Sequence, residues 1–301
     1  MSAIVMDGRA LSERLKPQLR AHAKELVERY GVTPALGAIL AGDSAASIQY
    51  VRNKRRLAEE LGFTTELVTI PAAAATTDHL LESIQRFNDD PRITGILLQL
   101  PLPAGVDNFR LFDAIAPGKD VDAVSASSIS GFYRGEWGRF IPCTPRGVLA
   151  LLECYAVPLD GMRAAVIGRS DIAGKPMALI LGGRLVNSTV TWCHRHTHEL
   201  AEICREADLI VSCAGVDLGE NRFLINAEMV KPGACVIDVG FRRVGPGRFA
   251  GDVDFAAVSR VAKWITPNPG GTGPMTVAAL MQNLIDAARY RLGLERAHYA
   301  M

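Results

Sequence analysis

The 301-residue sequence lacks any excess of charge of one sign: 33 Lys and Arg stand against 32 Asp and Glu. That balance excludes a broad basic field for nucleic acid or for an acidic membrane surface, so any anionic ligand must be met by local residues. Long apolar runs are missing too. Stretches such as Ile96–Leu98 and Leu209–Val211 fall far short of the roughly 20 residues a bilayer-crossing helix needs. The start, Met1 to Lys16, has no basic segment followed by an apolar one, so no export is expected and the expectation is a cytoplasmic protein. No C-x-x-C pair occurs. The six cysteines (Cys143, Cys154, Cys193, Cys204, Cys213 and Cys235) are scattered, which argues against a disulfide framework and a paired-cysteine zinc site and suits a reducing compartment. The one cluster of ligand-type side chains, Cys193, His194, His196 and His198, is interrupted by Arg195 and has no second ligand group, so no metal is expected.

What is present is a large apolar fraction, 49% against 22% charged, in a chain long enough for two domains. Short runs rich in Val and Ile recur between longer helical patterns: Ala35–Ala41, Thr94–Leu100, Ala164–Gly168, Thr189–Trp192, Asp208–Ala214 and Ala234–Val239. This alternation predicts an α/β fold with mostly parallel strands. From Leu102 to Cys143 the sequence is rich in Pro, Gly, Ser and Asp with little periodicity, and reads as an extended connection with a domain boundary near Ile141. After the Gly-Pro-rich loop Pro267–Pro274, residues Val277, Leu280, Met281, Leu284, Ile285 and Ala288 follow helical spacing. That helix is expected to pack back on the first domain. The alanine run Ala72–Ala75 reads as a loop or a helix lead-in.

A strand ending at Gly168 runs through Arg169, Ser170 and Asp171 to Gly174-Lys175-Pro176 and an apolar helix from Met177 to Leu181. This is the arrangement of a phosphate-binding strand-turn-helix, in which backbone N–H groups face an anion. The glycine spacing departs from G-x-G-x-x-G, and a tight turn before a helix would look the same. Gly174-Lys175 is no P-loop, because Pro176 follows and the glycine spacing is wrong. The next strand, Ser188–Trp192, ends without the acidic residue that holds an NAD ribose; Arg195, His194 and Arg169 stand there instead. Those cations suit a 2′-phosphate and hence NADP, although Arg195 alone would pass for a solvated surface side chain.

In the first half, Asp43 to Ser47 supplies capping residues for a helix from Ile48 to Leu61, on which Tyr50 and Lys54 stand four apart on one face. A lysine carries protons near neutral pH only where its surroundings favour the free amine; Arg52, Arg55 and Arg56 place positive charge nearby. Gln99 ends the strand Gly95–Leu98, where ligands of parallel sheets bind, and its amide could orient Lys54. Asp120 and Asp122 have a spacing found in calcium loops, but the remaining ligand positions are absent. Asp122 suits instead the paired donors of an amino-pyrimidine edge. By residue type alone each of these could also be an ordinary surface or strand-end residue.

Six blocks occur in order: Tyr50-Val-Arg-Asn-Lys54, Gly95-Ile-Leu-Leu-Gln99-Leu-Pro-Leu-Pro103, Lys119-Asp-Val-Asp122, Pro142-Cys-Thr-Pro145, Gly168-Arg-Ser170, and Thr266-Pro-Asn-Pro-Gly-Gly-Thr-Gly-Pro-Met-Thr276. Together they resemble, nearly end to end, the bifunctional methylenetetrahydrofolate dehydrogenase/methenyltetrahydrofolate cyclohydrolase family. The resemblance implies a folate-binding catalytic domain over 1–140, completed by a C-terminal helix over 275–301, and a Rossmann-like NADP-binding domain over 141–274. It implies Lys54 as proton carrier, Tyr50 stacking on the folate, Gln99 orienting Lys54 and Asp122 holding the pterin edge. Leu100, Gly273 and Pro274 would line the folate cleft, while Gly168, Arg169, Ser170, Arg195 and the backbone around Phe241 would hold NADP. A homodimer through the nucleotide domain follows from the same resemblance.

The sequence departs from the family pattern at Ala123 (usually glycine), at Asn268 and Thr272 (usually valines) and at Phe241 (usually a smaller aliphatic residue), and Ser125–Phe140 is atypical. A dehydrogenase with little cyclohydrolase activity and a non-catalytic folate or nucleotide sensor are the competing readings; the presence of Tyr50, Lys54 and Gln99 together speaks against both. A shikimate-type dehydrogenase would not explain Gln99-Leu-Pro-Leu-Pro103. At this length and without a P-loop, a fused formate-activating domain is not expected.

Overall fold

The computed structural model describes residues 2–134, 136, 139–219, 222–245 and 248–299. A two-residue strand, β1 (Ile4–Val5), leads into α1 (Gly8–Tyr30). The local sequence marks both ends of that helix. The Asp7 side chain accepts the Ala10 N–H at 2.9 Å, and Gly31 stops the helix at φ 65°, a left-handed conformation open to a residue without Cβ. Leu11, Leu15, Leu19 and Leu26 form its buried stripe.

Next come β2 (Ala35–Ala41), α2 (Ala45–Glu60), β3 (Thr64–Ile70), α3 (Thr77–Asp89) and β4 (Gly95–Gln99). The strands form a parallel sheet in the order β3-β2-β4, with Leu40 paired to Gln99 at the ligand end. All of β2 is buried, as a central parallel strand covered on both faces requires, which is why it reads as one apolar run. The alanine run forms a short 3-10 turn, Ala72–Ala74, ahead of α3.

The expectation of an extended connection from 102 to 143 is corrected. The segment holds two helices, α4 (Asn108–Ala114) and α5 (Ala126–Tyr133). The polar residues that suggested loop are their caps: Asp107 accepts the Arg110 N–H at 3.1 Å and Ser125 accepts the Ser128 N–H at 3.3 Å. Asp120 is fully buried and accepts from Val124 N, Ser125 N and Ser128 Oγ at 2.7–3.2 Å, so it braces this turn and is not a calcium ligand.

Helix α6 (Cys143–Cys154) leads into β5 (Arg163–Ile167), α7 (Gly174–Gly182), β6 (Thr189–Cys193), α8 (Leu200–Glu206), β7 (Leu209–Ser212) and β8 (Cys235–Asp238). A small antiparallel pair, β9 (Arg242–Gly245) and β10 (Arg248–Ala250), precedes α9 (Phe255–Val258), β11 (Trp264–Ile265) and α10 (Thr272–Arg291). The larger sheet is parallel, in the order β1-β11-β8-β7-β5-β6. Its outermost strand on one side is thus β1, so Ile4–Val5 sits on the sheet of the second half and not with the rest of 1–140. A strand of two residues has no periodicity to read; it exists only through its pairing with Trp264 and Ile265.

Helix α10 begins inside the Gly-Pro-rich loop, at Thr272 and not at 275, and is buried on almost every face. It packs against α1 and α6. Gly147 on α6 allows the approach, since a Cβ there would run into Met275. Within this apolar contact Asn283 donates to Val121 O at 2.7 Å and Ile141 O at 2.8 Å, while Arg146 donates to Asp286 Oδ2 at 2.8 Å. Cutting either partner of that buried ion pair leaves a charge uncompensated, a loss of about 3–5 kcal/mol.

Candidate active site

The end of β4, helices α1 and α2 and the loops of the second half line two adjoining cavities. The inner one, of about 440 Å³, is lined by Tyr50, Lys54, Gln99, Leu100, Asp122 and Phe241 among others. The outer one, of about 550 Å³, is lined by Tyr50, Phe241, Gly273, Pro274, Arg9 and Arg56 among others. All the residues expected at the folate cleft therefore meet, divided between two chambers with Tyr50 and Phe241 common to both.

Ser44 caps α2, accepting the Ser47 N–H at 3.4 Å, and one helical turn separates Tyr50 from Lys54 on the face toward the sheet. Lys54 is only 6% exposed, and its Nζ donates to Gln99 Oε1 at 3.2 Å. Gln99, 8% exposed, donates its Nε2 to Leu100 O at 2.6 Å. The two bonds fix the amide one way round. Flipped, it would press its NH₂ against the ammonium and its oxygen against a carbonyl. Lys54 Nζ also lies 5.3 Å from the centre of the Tyr50 ring. Of the three arginines expected near Lys54, Arg55 is held by Thr65 Oγ1 and Glu59, Arg56 lines the outer cavity and Arg52 is exposed.

Burial first, and the charge of Asp122 second, push the Tyr50 phenol above its ordinary value. Tyr50 therefore stays a neutral donor through the physiological range. The Cys143 thiol is pushed well up by burial and then by Asp122, so it remains protonated and behaves as core. Asp122 lines the inner cavity together with Lys54, and its two carboxyl oxygens can accept two parallel N–H donors.

At the larger sheet, β5 and β6 pair Ile167 with Cys193, and Arg169 and Arg195 each stand two residues beyond that pair, both exposed. Arg195 Nε donates to His196 Nε2 at 3.0 Å, and Trp192 Nε1 donates to Gly168 O at 2.7 Å. Gly168 lies at φ 124°, where a Cβ would meet the Cys213 carbonyl, and a Cβ on Gly174 would meet the Gly168 carbonyl. Both glycines are needed for the turn to close on itself in front of α7, which leaves a cradle of backbone before a helix N-terminus. Gly168, Arg169, Ser170 and Arg195 line neither cavity, but Ile172 of the same turn faces the inner one.

Among the side chains at the site that sequence reasoning passed over are Ile172, Thr144, Thr276, Arg9, Glu13, Lys16 and Glu60. Thr276 Oγ1 donates to Thr272 O at 3.0 Å and stands 3.3 Å from Thr144 Oγ1. Both threonines lie in blocks that carried the resemblance, and that was the available signal. The departures have clear local roles. Asn268 Nδ2 donates to Gly240 O at 2.6 Å and Thr272 Oγ1 to Asp238 O at 3.0 Å, bonds no valine could make. Ala123 is buried at φ 52°, the left-handed region that favours glycine.

Residues 6–122 match the family described as tetrahydrofolate dehydrogenase/cyclohydrolase, catalytic domain, and residues 142–292 match its NAD(P)-binding domain. The bifunctional protein FolD of Burkholderia thailandensis is 48% identical over 288 residues, 96% of this chain and 98% of that one. Among solved structures, the bifunctional FolD methylenetetrahydrofolate dehydrogenase/cyclohydrolase of Campylobacter jejuni superposes with a TM-score of 0.89 at 38% identity, covering 96% of this chain and 100% of that one. The Trypanosoma brucei methylenetetrahydrofolate dehydrogenase-cyclohydrolase, solved with NADP and an inhibitor, gives a TM-score of 0.91 at 35% identity, covering 97% and 99%. By motif order, architecture and overall similarity, this chain belongs to the tetrahydrofolate dehydrogenase/cyclohydrolase family.

Proposed function

We propose that this protein oxidises 5,10-methylenetetrahydrofolate with NADP and then hydrolyses the 5,10-methenyl product to 10-formyltetrahydrofolate in one cleft. The observation that carries this reading is the buried Lys54–Gln99 pair, which lines the inner cavity together with Asp122.

The residues present fit NADP: a turn stripped of Cβ atoms at Gly168 and Gly174, two exposed arginines beside it, and no carboxylate at the end of β6. When bound, the nicotinamide accepts the hydride from the bridging methylene carbon. Arg169 and Arg195 would meet the 2′-phosphate, and the backbone at Ser170 and Phe241 would hold the cofactor. Asp122 takes the amino-pyrimidine edge and Tyr50 stacks on the substrate, fixing the angle at which the carbon faces its acceptor. Alignment is most of what this first step requires, because the folate nitrogens stabilise the cation that forms.

Hydrolysis needs protons moved. Water adds to the methenyl carbon, and collapse of the adduct requires one folate nitrogen to be protonated while the new hydroxyl loses its proton. Lys54, positioned by Gln99, is the group within the cavity that can pass these protons. The reading includes a folate half of 1–140 with the C-terminal helix, a nucleotide half of 141–274, and a cytoplasmic homodimer formed through the nucleotide half, supplying one-carbon units to purine synthesis. Among the described residues, strand β6 leaves one edge of its sheet unpaired, in line with that assembly; a monomeric mass in solution would remove it.

The test is an assay on the purified protein with 5,10-methylenetetrahydrofolate and either NADP or NAD, following reduced cofactor and 5,10-methenyltetrahydrofolate separately. Reduced NADP without methenyl accumulation supports both steps; no reduction of either cofactor refutes the reading.

A further inference from the structure

The two cavities meet at a pair of rings from opposite halves of the chain. Tyr50 on α2 and Phe241, just beyond β8, line both cavities and meet edge to face with centroids 6.4 Å apart. Behind Phe241, the Phe249 ring of β10 lies stacked at 4.6 Å.

The backbone that carries Phe241 is clamped on both sides. Gly240 donates its N–H to Asp238 Oδ1 at 3.0 Å and accepts from Asn268 Nδ2 at 2.6 Å, while Thr272 Oγ1 holds the Asp238 carbonyl at 3.0 Å. On the other side Arg242, only 4% exposed, spreads its guanidinium over the carbonyls of Gly251, Gly219 and Arg222 at 2.6–3.0 Å. Three positions where the sequence departs from the motif pattern thus act at one place: Asn268 and Thr272 fix the main chain, and Phe241 projects from it. With the main chain fixed, the freedom left is rotation of the Phe241 side chain, which is 49% exposed. Its aromatic partners among the described residues are Tyr50 and Phe249.

The chambers differ in chemistry. Lys54, Gln99 and Asp122 suit a polar fused ring, whereas in the outer cavity Glu13 and Glu60 are both bridged by Lys16, and Arg9 and Arg56 add positive charge for an anionic end. A folate has a ring system at one end and carboxylates at the other, joined by a flat aminobenzoyl group that must cross where Phe241 meets Tyr50. We propose that Phe241 is a specificity-determining gate: its ring leaves Tyr50 to admit a folate that spans both cavities, and stays closed over ligands that fill the inner cavity alone. This inference rests on the folate reading above. Release of one aromatic pair corresponds to a factor of about 2–10 in binding.

The test compares wild type with Phe241→Ala, Phe241→Leu and Phe241→Tyr, using 5-formyltetrahydrofolate as the spanning ligand and 6-methyltetrahydropterin as the short one. Affinity is read by calorimetry and association rate by stopped flow. With the gate removed, Phe241→Ala and Phe241→Leu bind 5-formyltetrahydrofolate about 2–10-fold more tightly and faster, bind the pterin no better, and lower KM for 5,10-methylenetetrahydrofolate. Phe241→Tyr keeps the wild-type values. Equal effects on both ligands, or none on either, overturn the gate while wild-type turnover leaves the folate reading standing. Absence of folate binding and turnover in wild type overturns the folate reading, and the gate with it.

Discussion

The carboxylate of Asp238 accepts the backbone N–H of Asp252 at 3.0 Å, and the two acidic residues are buried together, 2% and 1% exposed, at the ends of β8 and β10. Asp238 also takes the N–H groups of Gly240 and Val253, while Asp252 Oδ2 takes Ser212 Oγ, Ala214 N and Gly215 N. Burial first, and the neighbouring Asp252 charge after it, push the Asp238 carboxyl up to about 6.

A carboxyl raised from about 3.9 in the unfolded chain holds its proton more firmly when folded, so its stabilising contribution is whole below about pH 4 and is lost as pH rises through about 6. A rise of that size corresponds to about 3 kcal/mol. Asp252→Asn removes the neighbouring charge and leaves the burial, so thermal melts between pH 4.5 and 7.5 are expected to show a shallower loss with rising pH than wild type. An identical slope would separate this pair from the pH dependence.

Lys54→Met and Gln99→Met should divide the two reactions. Lys54→Met is expected to lower methenyl hydrolysis by about 100-fold or more while hydride transfer to NADP changes by only a few-fold, so that 5,10-methenyltetrahydrofolate accumulates. Gln99→Met, which leaves the ammonium in place but unoriented, should fall between wild type and Lys54→Met in hydrolysis. Equal loss of both reactions in Lys54→Met would place Lys54 in binding.

Arg169→Ala and Arg195→Ala each remove one exposed cation beside the Gly168 turn. KM for NADP should rise about tenfold for each, the scale of one charge-assisted hydrogen bond to a phosphate, with KM for NAD nearly unchanged. A matching rise for NAD would show that the arginines hold the shared part of the two cofactors.

Ala123 offers a test of local strain. Glycine there relieves the left-handed φ by about 1–2 kcal/mol but gives up backbone restriction and a buried methyl of similar combined size. Ala123→Gly should therefore melt within about 1 kcal/mol of wild type, while the β-branched Ala123→Val should lose about 2 kcal/mol or more, both read by chemical denaturation.

Strands β2, β4, β5, β6, β7 and β8 were legible as short apolar runs between helical patterns, and α10 because its apolar positions recur at helical spacing; β3, which begins Thr64-Thr65-Glu66, and the two-residue β1 and β11 were not. Helices α4 and α5 were not, since each is short and begins at a polar cap that resembles loop. Lys54, Gln99 and Asp122 meet in space as the motif blocks suggested, yet nothing in the spacing of Tyr50 and Phe241 reveals that they touch, because they lie on opposite halves. Arg9 escaped notice for a similar reason: it is one exposed arginine near the start of α1 until the fold sets it beside the Gly273 loop.

The placement of β1 bears on how the molecule is made. Among the described residues its strand partner is β11, and these two segments lie near opposite ends of the chain. During synthesis Ile4–Val5 must wait, without this partner, until the chain as far as Trp264 and Ile265 has followed. The sheet edge and the helix bundle around α10 are then completed together, by contacts of very high sequence separation, the kind that slow folding. A ribosome-bound chain stopped short of Trp264 would hold Lys54 and the Gly168 turn, and still leave Ile4–Val5 without its strand partner.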